Sequence, residues 1–163
     1  MLNYYHILSS EITTDAGVFR VALNADCEVY QGHFPGEPIS PGVCNIQMIK
    51  ECAEIVLQGG AVSRPHQERM HNLTTRDTVG AAPVVSMVRP GDRTSMCSET
   101  PTMLLSHIKQ CRLTTLVTPQ QHPEVEVRVA ILSRSEDTIT FRGTIGKGEE
   151  VYMELKGEMT SDR

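Results

Sequence analysis

Residues 43–57, VCNIQMIKECAEIVL, constrain the fold more than any other stretch. Their spacing predicts a helix on which Ile46, Ile49, Ala53, Val56 and Leu57 cluster, with Met48, Cys52 and Ile55 extending the apolar surface. Its polar strip is formed by Gln47, Lys50, Glu51 and Glu54. A helix this apolar around its circumference must be covered by other elements, and its polar strip must face something that needs it. The helix follows directly on GHFPGEPISPGV, residues 32–43, where three prolines and three glycines surround one histidine, His33. Proline fixes φ and glycine opens conformations that other residues resist. The stretch therefore reads as a shaped loop that aims an imidazole.

The cover for the helix is written as strands. In GVFRVALNAD, Phe19, Val21 and Leu23 fall on one face, the period-two pattern of a half-buried strand. NYYHILSSEITT ahead of it is a candidate partner strand. Residues 104–159 return to strand character: Val125, Val127, Val129 and Ile131 share a face, then Ile139, Phe141 and Ile145, then Val151, Met153 and Leu155. SRSED and the GKGEE turn, with Gly146, Lys147 and Gly148, are short, so consecutive strands are expected to be antiparallel neighbours. The expected class is α+β, a sheet wrapped over one buried helix, with residues 1–163 forming a single domain. Residues 59–102 break this cadence and read as an inserted or loop segment.

Composition excludes several classes. With 15 basic against 20 acidic residues, the net charge is −5 and no basic stripe is present for nucleic acid. No apolar run approaches the ~20 residues of a membrane-spanning helix. MLNYYHILSSEITTD lacks the basic start and apolar core of a signal peptide, so the expected location is cytoplasmic. Five cysteines, Cys27, Cys44, Cys52, Cys97 and Cys111, form no CxxC and read as reduced thiols rather than a disulfide framework or zinc site. His66 and His71 lack an acidic cage, so no metal is expected.

GHFPGEPISPGV followed by an apolar helix resembles the signature of the β-hydroxyacyl-ACP dehydratases of type II fatty-acid synthesis. Their pattern, G-H-F-P-x-x-P-I-x-P-G-V, is met from Gly32 to Val43. The resemblance covers residues 1–57 and about 104–159. It implies a hot-dog fold, in which a curved antiparallel sheet wraps a long central helix. It also implies a 3-hydroxyacyl substrate on the phosphopantetheine arm of acyl carrier protein, with no metal or dissociable cofactor. Hot-dog dehydratases work as homodimers, or as trimers of dimers, with the site between protomers. Phe34, Pro41, Gly42 and Val43 are by resemblance substrate-binding.

The chemistry can be argued from residue types. Eliminating water from a 3-hydroxyacyl thioester needs a base at C2, an acid for the departing hydroxyl, and donors for the thioester oxygen. Histidine suits the base, which makes His33 the candidate. The free N–H groups of a helix N-terminus suit the oxyanion, and Pro41-Gly42-Val43 opens the helix. By resemblance, the Gly42 amide is the donor. The departure lies on the helix, where the family carries E-x-x-x-Q. Here Gln47 stands at the glutamate's position and Glu51 at the glutamine's. An amide cannot donate a proton as a carboxylic acid does, so Glu51 becomes the candidate acid, one turn or ~5.4 Å along.

Two other functions stay open. One is a hot-dog acyl-thioesterase, with Glu51 as base or Gln47 orienting water. The other is an impaired, acyl-binding subunit that pairs with an active dehydratase. Acyl carrier protein is acidic, so Lys109, Arg112 and Arg128 are candidates for a basic patch at the tunnel mouth. Cys44 reads as a buried spectator thiol, and His107 and His122 as surface residues near strand ends.

Overall fold

The structure, a computed structural model, describes residues 3–34, 36–59 and 103–161. Two strands, β1 (Tyr5–Ile12) and β2 (Ala16–Leu23), lead into a single helical turn, α1 (Val29–Gly32). The helix α2 (Gly42–Leu57) follows, then β3 (Met103–Leu113), β4 (Glu124–Arg134), β5 (Thr138–Lys147) and β6 (Glu150–Ser161). The strands form one six-stranded sheet in the order β1-β2-β4-β5-β6-β3. Every neighbouring pair is antiparallel. This is the hot-dog fold, a curved sheet with α2 packed against it. Residues 60–102 of the anticipated insertion lie outside the described residues.

Period-two patterning built the sheet as expected. Phe19, Val21 and Leu23 are buried, as are Val125, Val127, Val129 and Ile131. On α2 the buried face is Cys44, Asn45, Met48, Ile49, Cys52, Ala53 and Val56. Ile46, Ile55 and Leu57 pack only partly against the core. One strand departs from its pattern. Val151, expected inward with Met153 and Leu155, is exposed. The register of β6 against β5 slips between Ile145 and Gly146, so Tyr152 and Met153 are both buried. The carbonyl of Tyr152 instead accepts the N–H groups of Thr114 and Thr115 at 2.8 and 3.2 Å. Similar slips in β1, β3 and β4 bend the sheet around its contents.

Two glycines set how closely the helix sits. A Cβ on Gly143 of β5 would lie 2.1 Å from Ile49 Cγ2, and one on Gly17 of β2 would lie 2.7 Å from Val56 Cγ2. Ile49 and Val56 are buried side chains of α2. At these two points the sheet has given up its side chains so that those of the helix reach its backbone. We expect Gly143→Ala to cost about 1–3 kcal/mol through overpacking, read as a lower urea midpoint at unchanged slope. Gly17→Ala should act in the same direction.

Candidate active site

The turn α1 ends on His33, whose N–H donates to the Val29 carbonyl at 3.1 Å. The imidazole is half-buried, and its Nδ1 lies 3.0 Å from the Ile39 carbonyl oxygen. A carbonyl oxygen only accepts, so Nδ1 carries the hydrogen and the neutral ring has its lone pair on Nε2. Phe34 stands edge-on to that ring, with centroids 4.5 Å apart and planes at 74°. Its backbone is left-handed, φ 61°, an outlier for a bulky residue, and its side chain is 57% exposed.

Helix α2 begins after Pro41, which is buried and extended, φ −60° and ψ 136°, and no side chain caps this end. Cys44 N–H and Asn45 N–H both return to the Pro41 carbonyl, at 3.0 and 3.2 Å. The amides of Gly42 and Val43 precede them and lie outside the helical ladder. A Cβ on Gly42 would meet nothing within 4 Å, and Val43 is 68% exposed. The helix start is therefore exposed, with two backbone donors outside the ladder.

The polar strip of α2 forms a second cluster. Gln47 Nε2 donates to Glu51 Oε1 at 2.9 Å, and Tyr5 OH donates to Glu51 Oε2 at 2.5 Å. Burial works to raise the Glu51 carboxyl, but the opposing interactions outweigh it, with the hydrogen bonds from Tyr5 and Gln47 foremost. The net result lies below the ordinary carboxylate range. At neutral pH Glu51 is thus an ionised acceptor, whereas the sequence suggested a proton donor. Burial, followed by the bond to Glu51, pushes the Tyr5 phenol up, so it stays protonated. The rest of the strip is structural. Lys50 pairs with Glu54 at 2.8 Å, and Glu54 also accepts the Met103 N–H at 3.1 Å.

Within one chain His33 and the Gln47–Glu51 pair are held by different partners. The ring contacts Phe34 and Ile39, while Gln47 contacts Glu51. A cleft of about 490 Å³ opens between residues 36–39 and residues 116–121. It borders the loop that holds His33, yet the imidazole does not line it.

The suggested basic patch does not assemble. Lys109 and Arg112 lie on the edge strand β3, and Arg128 lies on β4, with β5 and β6 between. Lys109 pairs with Glu158, and Arg128 with Glu126. Burial pushes the Cys44 thiol up, consistent with a spectator. His107 is exposed within β3 rather than at its end. His122 is half-buried; its ring lies 4.7 Å from that of Tyr152, and its Nδ1 accepts the Thr118 N–H at 3.3 Å. Among the described residues no group of three or more His, Cys, Asp or Glu side chains could hold a metal ion. No helix there is long and apolar enough to cross a membrane.

Tyr5 matters to the Glu51 cluster and carries no motif of its own. The available signal was compositional: Tyr4 and Tyr5 are adjacent in a chain with only four tyrosines.

Residues 9–101, more than half of the sequence, match the ApeI-like family, described as ApeI dehydratase. The chain belongs to the ApeI-like dehydratase family. It is therefore a dehydratase-like hot-dog protein. Among solved structures it is similar to the dehydratase heterocomplex ApeI:P from Xenorhabdus doucetiae, at 13% identity and a TM-score of 0.55. That likeness covers 95% of this chain and 96% of the other. A conserved protein from Pseudomonas aeruginosa is similar at 10% identity and a TM-score of 0.52, covering 99% and 90%. At such identities the structural likeness speaks to the fold alone. No curated protein matches the sequence.

The ionised state of Glu51 fixes a sign. A carboxyl depressed in the folded state contributes stability above its unfolded pKa, about 4.3, and that contribution is lost as pH falls through the folded value. We expect the urea-midpoint gap between wild type and Glu51→Gln to be full at neutral pH and to close on acidification. A gap that widens toward acid would mean that the carboxyl is raised instead.

Proposed function

We propose that this ApeI-like protein dehydrates a 3-hydroxyacyl group carried as a thioester on the phosphopantetheine arm of acyl carrier protein. The observation that carries the reading is the imidazole of His33. Its Nδ1–H is committed to Ile39, so Nε2 is available as a base, on the loop that runs into an uncapped helix start. In this reading Nε2 takes a proton from C2, and the electron pair moves onto the thioester oxygen. The N–H groups of Gly42 and Val43 receive that charge. When the pair returns, the C3 hydroxyl leaves with a proton as water and the trans-2-enoyl thioester remains.

With Glu51 held as a carboxylate, the proton on the departing hydroxyl comes from the imidazolium just formed at His33. Gln47 has one N–H on Glu51, and its carbonyl oxygen and second N–H are left to orient the hydroxyl. Phe34 and Val43, both exposed, supply apolar surface for the acyl chain. The site is completed between protomers of a homodimer. In support, β3 is an edge strand with Leu104, Ile108 and Leu113 exposed, a surface suited to strand-to-strand pairing.

A second reading has its own support. The chain's helix carboxylate is tied to its own Tyr5 and Gln47, and the similar Xenorhabdus structure is a heterocomplex. Here the chain contributes the histidine half-site, and a different hot-dog chain supplies a protonated carboxyl.

The test uses 3-hydroxybutyryl and crotonyl thioesters of acyl carrier protein. We expect reversible exchange of water, a loss of about 10²–10⁴-fold in His33→Ala, and retention of most activity in Glu51→Gln. Abolition in Glu51→Gln would return the acid role to that residue. Release of free thiol would identify a thioesterase. Silence of the chain alone, relieved by a carboxylate-bearing partner chain, would establish the second reading. Silence throughout with acyl binding retained would leave a binding subunit.

A further inference from the structure

The peptide group joining Ile39 to Ser40 is held from several sides. Its carbonyl accepts the His33 Nδ1–H at 3.0 Å, and its N–H donates to the Val117 carbonyl at 2.7 Å. The C=O and N–H of a trans peptide point in opposite directions on one plane. A plane fixed by Val117 on one side therefore fixes the direction of the carbonyl on the other. The Ser40 side chain adds a further anchor, with its Oγ 3.1 Å from Tyr30 OH. Both residues are buried. Tyr30 stacks on the buried ring of Tyr4, with centroids 5.8 Å apart, and Tyr4 OH donates to Asn45 Oδ1 on α2 at 3.0 Å. Asn45 is 1% exposed.

This chain of contacts ties three parts of the fold to one carbonyl. Val117 lies between β3 and β4, Tyr4 directly before β1, and Asn45 on the first turns of α2. A buried hydroxyl stripped of its partner is costly, so the Tyr30–Ser40 bond resists opening. We propose that Tyr30 and Ser40 are positioning residues for His33, holding the Ile39–Ser40 peptide plane so that the neutral imidazole keeps its hydrogen on Nδ1. Without that carbonyl the ring reverts toward the Nε2–H form usual for an unconstrained histidine. In that form the lone pair sits on the wrong nitrogen for proton abstraction. The catalytic consequence rests on the base role proposed above; the tautomer itself does not.

The test reads the ring nitrogens directly. Long-range ¹H–¹⁵N spectra of the labelled full chain, at a pH where His33 is neutral, distinguish the two tautomers by their nitrogen shifts. The wild type is expected to show the Nδ1–H pattern. Tyr30→Phe, which keeps the stacked ring, and Ser40→Ala should both move toward Nε2–H. Each should lower kcat by about 10-fold at unchanged KM, and Ser40→Thr should restore both readouts. If one variant does not fold, the other carries the test. An Nε2–H pattern in the wild type, or an unchanged Nδ1–H pattern in the folded variants, would overturn the inference. A tautomer shift in a protein without dehydratase activity would leave the positioning role standing and remove the base reading alone.

Discussion

The seating of α2 against the sheet is the contact on which the rest depends. Ile49 and Val56 lie against Gly143 and Gly17 so closely that neither position has room for a Cβ. Protein interiors transmit changes of a single methylene because they are packed near crystal density. A helix fixed at two such points has little freedom to slide or roll. Its N-terminus, with the open amides of Gly42 and Val43, and its Gln47–Glu51 face are placed by the same two contacts. The reactive features are thus held by the core, although none of them is in it.

The loop before the helix solves a different problem. An imidazole becomes a directed base only when one nitrogen is committed. The Pro- and Gly-rich segment folds back so that the Ile39 carbonyl does this from six residues away. The same segment delivers Pro41 as the residue preceding the first helical turn. One short stretch therefore commits one nitrogen of an imidazole and leaves a pair of backbone hydrogen-bond donors outside the helical ladder.

Much of this was legible in the residues themselves. The alternation of Phe19, Val21 and Leu23 and of Val125, Val127 and Val129 reported strand faces, because a pleated strand sorts its neighbours by parity. The run 43–57 reported its own burial through its composition. What escaped was nonlocal or depended on a single slip. Nothing near Glu51 announces Tyr5, which is 46 residues away in sequence, so the carboxylate looked like an acid when read beside Gln47 alone. Val151 obeys the parity of its strand, but a one-residue bulge reverses parity locally. Lys109, Arg112 and Arg128 were grouped by charge, and strand order separates them. Sequence spacing reports which face a side chain takes; it does not report which strand lies beside it.

Phe34 carries a last implication. A side chain with a Cβ loses roughly 1–2 kcal/mol in a left-handed backbone, a penalty glycine at that position would avoid. The chain retains instead a large aromatic ring, mostly in solvent and set on edge against the imidazole. Thermodynamic economy within the folded monomer does not account for that choice. The ring is thus an exposed apolar surface held beside the imidazole by a backbone conformation that costs the fold stability.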